Sequence, residues 1–128
     1  MALSVYAENL VQTLLLTTSV GVRPTAWYVG LHSGTAGTTG ATNELSVTAG
    51  YARQPQTFNI TGNIATGVVG LSFGPCVTTP WGTVTDFSLW DAPVGGNCLW
   101  VGTVGIPVAY TIADTAIIAA GALTFQIL

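Results

Sequence analysis

The sequence predicts a mainly β fold, a single-domain antiparallel β-sandwich of jelly-roll-like type with one N-terminal helix. The helical period of hydrophobic residues is confined to the start of the chain, and short segments of alternating apolar and polar residues follow it. Glycine and proline mark the turns between seven or eight such segments. The 128 residues fit one domain. We therefore expect one domain over 1–128, with the helix and its cap at 1–20 and the sandwich at 25–128.

The first predicted element is an amphipathic helix of about four turns. Ser4 is a plausible N-cap, and Glu8 lies early enough to interact with the positive end of the helix dipole. Pro24 prevents any continuation of the helix. The apolar stripe consists of Leu3, Tyr6, Ala7, Leu10, Val11, Leu14 and Leu15. We expect this stripe to pack across an open end of the sandwich or to reach a neighbouring subunit.

The next segments predict two extended regions separated by a loop. Trp27–His32 alternates apolar and polar residues and predicts a strand. Residues 33–40 contain three glycines and no periodicity, which indicates a mobile surface loop. Residues 51–60 return to extended structure, and Pro55 within them indicates an edge strand or a bulge, because proline cannot donate to a ladder.

The remaining strands follow at close spacing towards the end of the chain. Residues 92–97, with one proline and two glycines, predict a hairpin turn. A closing strand at 123–127 is apolar enough to be paired in a sheet. The other predicted strands are 68–73, 83–90, 99–104, 106–112 and 116–120.

Charge is scarce in this chain, and its scarcity excludes several classes of function. Charged residues make up 5% of the sequence, so the surface must consist largely of Thr, Ser, Gly and apolar groups. Such a surface is typical of one that partners cover. Arg23 and Arg53 are the only cations, too few to bind nucleic acid or an anionic membrane directly. Neither a membrane span nor a signal peptide is predicted.

The sequence contains a few candidates for chemistry, but their patterns favour structural roles. Residues 70–74 spell G-x-S-x-G, yet a nucleophile elbow at Ser72 needs a following helix and a later histidine, and His32 comes earlier. His32 is better explained as a strand-end residue beside a loop than as a general base. Asp86 and Asp91 lie on opposite faces of the predicted strand, and Asp91 opens a turn. We predict no catalytic, cofactor-binding or metal-binding residues.

The cysteines and tryptophans leave two alternatives open. We favour buried thiols at Cys76 and Cys98 over a disulfide between them. The tryptophans could stack on sugars in a carbohydrate-binding module, although core packing explains three of them better. Trp81, between a proline and a glycine, is the one most expected at the surface or at a subunit contact.

Several stretches occur in a characteristic order and spacing: the N-terminal helix, Trp27–His32, 43–44, 50–53, 81–85, 89–92, 95–100 and 120–124. Together they resemble a family of small bacteriophage virion proteins usually labelled tail-fibre-like. The resemblance covers nearly the whole chain and implies a virion component, made in the host bacterial cytoplasm, without catalytic residues. In residues 33–40 relatives tend to carry acidic residues and this chain has none, so ion binding by that loop is not carried over.

Two positions on the particle remain open at this stage. We favour a capsid decoration or cement protein that binds the major capsid protein as a symmetric homo-oligomer, with a trimer as one candidate, because no repetitive shaft or separate receptor domain is apparent. The alternative is a tail-fibre or tail-tip subunit, which would contact a host receptor through loops such as 33–40 and 92–97. A carbohydrate-binding module is a third and weaker hypothesis.

Overall fold

The computed structural model describes residues 2–126, which form one α-helix and ten strands in three antiparallel sheets. A short 3₁₀ helix, Val47–Ala49, lies in the connection between the second and third strands. The prediction of a mainly β fold with one N-terminal helix is confirmed. In chain order the elements are β1 (Ala2–Leu3), α1 (Val5–Leu16), β2 (Trp27–His32), β3 (Gln54–Gln56), β4 (Phe58–Thr61), β5 (Ile64–Gly67), β6 (Leu71–Phe73), β7 (Gly82–Trp90), β8 (Cys98–Tyr110), β9 (Ala116–Ile118) and β10 (Thr124–Gln126).

The sheets form a sandwich around an aromatic core. The largest sheet has the order β1-β8-β7-β2-β3, a second has the order β10-β5-β4, and β6 pairs with β9. Phe125 of β10 joins the first two sheets, since its ring centroid lies 5.7 Å from that of Phe87 and 5.2 Å from that of Trp100. Val29 and Phe73 are completely buried within the same core. Burial alternates along β6 and β10, as the sequence predicts, whereas the later residues of β2 and β7 are buried on both faces of the large sheet.

Helix α1 begins after the predicted N-cap, Ser4, and its C-terminal end is exposed. The Ser4 hydroxyl accepts a hydrogen bond from the Ala7 amide at 3.1 Å and donates one to the Cys98 carbonyl, which ties the cap to β8. Ala7 is the one fully buried residue of the helix. Leu15 and Leu16 expose 76% and 78% of their surface. The predicted apolar stripe is thus covered near the N-terminus of the helix and bare near its C-terminus.

The largest difference from the predicted strands is in β8. This strand runs without a break through residues that the sequence divides into two strands, 99–104 and 106–112. Asp86 pairs with Thr103 and Val84 with Val108, so residues 104–107 of β8 lie opposite a single residue of β7. This bulge accommodates Pro107 without ending the strand.

Smaller differences occur at short strands. The structure has strands at Ala2–Leu3 and Ile64–Gly67 that the sequence analysis does not predict, and β6 begins at Leu71 rather than at residue 68. Pro55 lies in β3 at the edge of the large sheet, as its chemistry predicts. The predicted closing strand corresponds to β10, and residue 127 lies outside the described residues.

Candidate functional site

A buried polar network covers the outer face of the large sheet, opposite the core. The His32 ring, Ser88 and Trp90 lie on this face of β2 and β7. The Thr42 carbonyl can only accept, so His32 Nδ1 carries the proton and donates to it at 2.7 Å. His32 Nε2 then accepts from the Ser88 hydroxyl at 2.7 Å, and Ser88 Oγ accepts from Trp90 Nε1 at 2.7 Å. Every donor and acceptor in this chain of hydrogen bonds is matched.

The network holds His32 in its neutral form. Both His32 and Ser88 are completely buried, and burial lowers the pKa of the imidazole, although the Thr42 hydrogen bond and the nearby carboxylates act in the opposite direction. A protonated ring would have to donate from Nε2 as well, which would force the Ser88 hydroxyl to turn. The arrangement fixes the loop that carries Thr42 to the sheet.

Ser72, the serine of the G-x-S-x-G motif, lies far from elbow geometry. It is exposed in the middle of β6, between buried Leu71 and Phe73, and it pairs with Ile117 of β9. No helix follows in residues 74–81. The hydroxyl that His32 contacts is that of Ser88, not that of Ser72. The structure therefore does not bring the two sequence candidates together.

An ion pair between Arg53 and Glu44 lies beside this network. Arg53 Nε and Nη2 donate to the two carboxylate oxygens of Glu44, each at 2.8 Å. Tyr51 donates to the same carboxylate at 2.6 Å. Burial raises the pKa of Glu44, but the hydrogen bonds from Arg53 and Tyr51 outweigh it and hold the pKa below its usual value. Burial and the neighbouring carboxylate raise the pKa of Tyr51.

Arg53 also fixes the loop between β7 and β8. Its Nη1 donates to the carbonyl oxygens of Ala92 at 3.0 Å and Gly95 at 2.8 Å, and its guanidinium carbon lies 3.7 Å from the centroid of the Trp90 ring. Asp91 closes the same loop by accepting from the backbone and side-chain nitrogens of Asn97. One arginine thus connects the segment after β2 with the turn predicted at 92–97.

The glycine-rich loop at 33–40 is irregular, as predicted, but it is anchored rather than mobile along its length. Ala36 is buried and accepts from the Thr42 amide, and Thr38 accepts from the Val5 amide at the start of α1. Gly40 has a φ of +70°, and a Cβ there would lie 2.5 Å from Cys98 Sγ. Glycine spacing alone does not distinguish a free loop from one whose glycines permit close packing.

A cleft of about 590 Å³ lies between the two larger sheets. Its walls are mostly apolar, with aromatic side chains from both sheets, and polar side chains line part of it. The large sheet contributes the start of β2, the end of β7 and the start of β8 to the lining. The cleft therefore lies at the end of the large sheet where β2 begins. The lining residues are Arg23, Trp27, Thr57, Phe58, Ile60, Gly62, Asn63, Ala65, Leu89, Leu99, Trp100 and Phe125.

Comparison with known protein families adds the deciding observation. The family described as podophage GP4 fiber I protein gp80 matches residues 2–126 of this sequence. The chain belongs to this family. The gp80-family chain is therefore a structural component of a bacteriophage virion, and the predicted resemblance to tail-fibre-like proteins is confirmed. No curated protein matches it. Within residues 2–126, no helix has the length and apolar character needed to cross a bilayer.

The tryptophan expectation for this gp80-family chain is wrong in one respect. Trp81 is buried, donates from Nε1 to the Ala49 carbonyl at 2.8 Å and packs against Tyr51 and Tyr110. Its flanking proline and glycine suggested exposure, but the 3₁₀ helix supplies a partner for the indole nitrogen. Trp27 and Trp100 are the tryptophans that line the cleft.

The cysteines of the gp80-family chain are free thiols, as the sequence analysis favours. Cys76 and Cys98 are both buried, and each donates to a nearby backbone carbonyl. Burial raises the pKa of the Cys98 thiol to about 11. Both therefore behave as small apolar groups of the interior.

Proposed function

We propose that this chain is a non-enzymatic subunit of the phage fibre and takes part in attachment of the particle to its host. The observation that carries the proposal is the match to a fibre-protein family over residues 2–126. Two anchored loops, 33–43 and 91–97, add support, because binding residues are often carried on loops held by a rigid scaffold. Arg53 holds the second loop through the carbonyls of Ala92 and Gly95, and His32 holds the first through the carbonyl of Thr42.

Self-association is part of the proposal, and exposed apolar residues at the end of α1 and in the segment after it support it. Leu15, Leu16, Val20 and Val22 expose 76–82% of their surface within a stretch of eight residues. A contiguous exposed apolar patch usually marks an interaction site. Copies of one chain commonly assemble with closed symmetry, so we propose a homo-oligomer, with a trimer as one candidate, in which these apolar residues are covered.

The capsid decoration hypothesis, which the sequence analysis favours, requires the same apolar surface. The description of the family favours the fibre, so the tail-fibre alternative replaces decoration as the proposed function. Other virion proteins are then the expected partners, and the major capsid protein is not.

Immunogold labelling of intact particles tests the position directly. An antibody against this chain should label the fibres at the tail end of negatively stained particles. Label distributed over the head would contradict the proposal and restore decoration. Particles made without this gene product serve as the control, since they should show no label in either place.

Sedimentation of the purified protein tests self-association. The wild type should sediment as an oligomer, and a Leu15→Gln/Leu16→Gln variant should shift towards the monomer. Val47→Gln is the matched control, because Val47 is 70% exposed but lies outside α1. A monomeric wild type would contradict self-association, and an oligomer that tolerates the double substitution would exclude α1 as the interface.

A further inference from the structure

We propose that the cleft between the sheets binds an acidic saccharide, with a sugar ring stacked on its aromatic walls and a carboxylate paired with Arg23. This inference rests on the proposed function, because it names the ligand class that a host-attachment subunit would recognise. It concerns a site separate from the loops described above, and its test is independent of where the protein lies on the particle.

The walls of the cleft are apolar and aromatic, which suits contact with the C–H face of a pyranose ring. Trp27 and Trp100 project from the inner face of the large sheet, and Phe58 and Phe125 project from the second sheet. Trp27 and Trp100 are only half-buried, so their rings are partly accessible. A volume of about 590 Å³ lies within the range of small-molecule sites, which combine apolar and aromatic walls with a few polar groups.

The positive charge at the cleft narrows the class of ligand that it could bind. Arg23 is exposed, and within residues 2–126 its guanidinium has neither a hydrogen bond nor an ion pair, whereas that of Arg53 is fully engaged. The chain has a net charge of −3, so positive groups are rare on this protein. A guanidinium that has no partner among residues 2–126 and that lines an apolar cleft favours a ligand that carries a carboxylate.

A further polar group indicates a ligand with hydroxyls rather than a simple amphiphile. Thr57 lines the cleft together with Arg23, which places a hydroxyl beside a guanidinium that carries several donors. A fatty acid would need one cation and no further polar group. Sugar hydroxyls would use both side chains, because each hydroxyl can donate and accept hydrogen bonds.

Fluorescence titration of the purified full-length protein tests the proposal. The acidic probes are a galacturonic acid hexamer and a sialic acid hexamer, and maltohexaose is the neutral control. Trp81 and Trp90 are only 5% and 7% exposed, so a change in emission on binding reports on Trp27 and Trp100. At least one acidic hexamer should shift the emission and bind at least about tenfold more tightly than maltohexaose.

Two variants with the same net charge identify the contact. Arg23→Gln should weaken binding of the acidic hexamer about tenfold, the value of one charge-assisted hydrogen-bonded pair. Gln12→Glu, on the exposed face of α1, changes the net charge equally and should leave the affinity unchanged. Arg23→Lys should restore part of the binding because it restores the charge.

Four results would overturn the inference. Three of them are no binding of either acidic hexamer at about 10 mM, equally tight binding of maltohexaose, and equal effects of Arg23→Gln and Gln12→Glu. Tighter binding of dodecanoate than of the hexamers would also overturn it and assign the cleft to an amphiphile. Gold labelling of the fibres would stand whatever the binding result, so failure of this inference is distinguishable from failure of the proposed function.

Discussion

Replacement of Arg53 by alanine should destabilise the protein by about 3 kcal/mol, because it leaves the Glu44 carboxylate without its cation. Breaking a buried ion pair costs about 3–5 kcal/mol, and the lower end applies since the Glu44 side chain keeps 22% of its exposure. The same change removes the contacts to the β7–β8 loop and to Trp90. A loss of this size is a large fraction of the roughly 5–15 kcal/mol that stabilises a typical domain.

Urea unfolding followed by tryptophan fluorescence measures this effect. The midpoint of Arg53→Ala should fall by about 1–3 M, given a slope of about 1–3 kcal/mol per M. Arg23→Ala is the matched control, since the Arg23 side chain is exposed, and it should change stability by less than about 0.5 kcal/mol. Adding Glu44→Gln to Arg53→Ala should recover part of the lost stability, because it removes the unpaired Glu44 carboxylate. Equal midpoints for the two arginine variants, or no recovery in the double variant, would refute the ion-pair argument.

Three further predictions concern the buried network and its surroundings. Burial lowers the native pKa of His32 below its usual 6.5, so stability should be complete above about pH 6.5 and fall at lower pH by up to about 1.4 kcal/mol per unit, until the native pKa is reached. Denaturant titrations from pH 5 to 7 check this, and His32→Asn should flatten the dependence; a flat profile in the wild type would contradict it. Cys76 and Cys98 should resist a thiol reagent at pH 8 in the native protein and react on unfolding, as both are buried and the pKa of Cys98 is about 11. Rapid labelling of Cys98 in the native protein would contradict the burial of its thiol. Gly40→Ala should lower the melting temperature more than Gly62→Ala, because both have positive φ but only Gly40 would place a Cβ against Cys98 Sγ. Equal losses of melting temperature in the two variants would show that backbone strain at positive φ, and not contact with Cys98 Sγ, accounts for the whole effect.

Local patterns along the chain predict most of the fold. The Ser4 cap is a local feature that can be recognised within three residues of sequence. Strand β2 has the bounds that the alternation of its residues predicts. Pro55 indicates an edge strand because one missing donor is a local property. By contrast, the continuity of β8 through Pro107 depends on a bulge in the pairing with β7, which no local pattern reveals.

The residues of the buried network could not be assembled from the sequence. Ser88 lies 56 residues from His32, and their contact depends on the register between β2 and β7. The pairing of Arg53 with an acidic residue could have been predicted, because the chain has only two cations and five acidic residues. The cleft could not be foreseen at all, because its lining comes from both sheets and from the segment before β2.

Arg53 holds the β7–β8 loop by its backbone carbonyls, and this has a consequence for how the loop can change. The contacts at Ala92 and Gly95 do not depend on side chains, and Val94 between them is 82% exposed. Positions 93 and 94 can therefore exchange residues while the loop keeps its shape. A library randomised at these two positions should yield mostly folded proteins, so that one scaffold can display many different surfaces and adapt to new ones without being rebuilt.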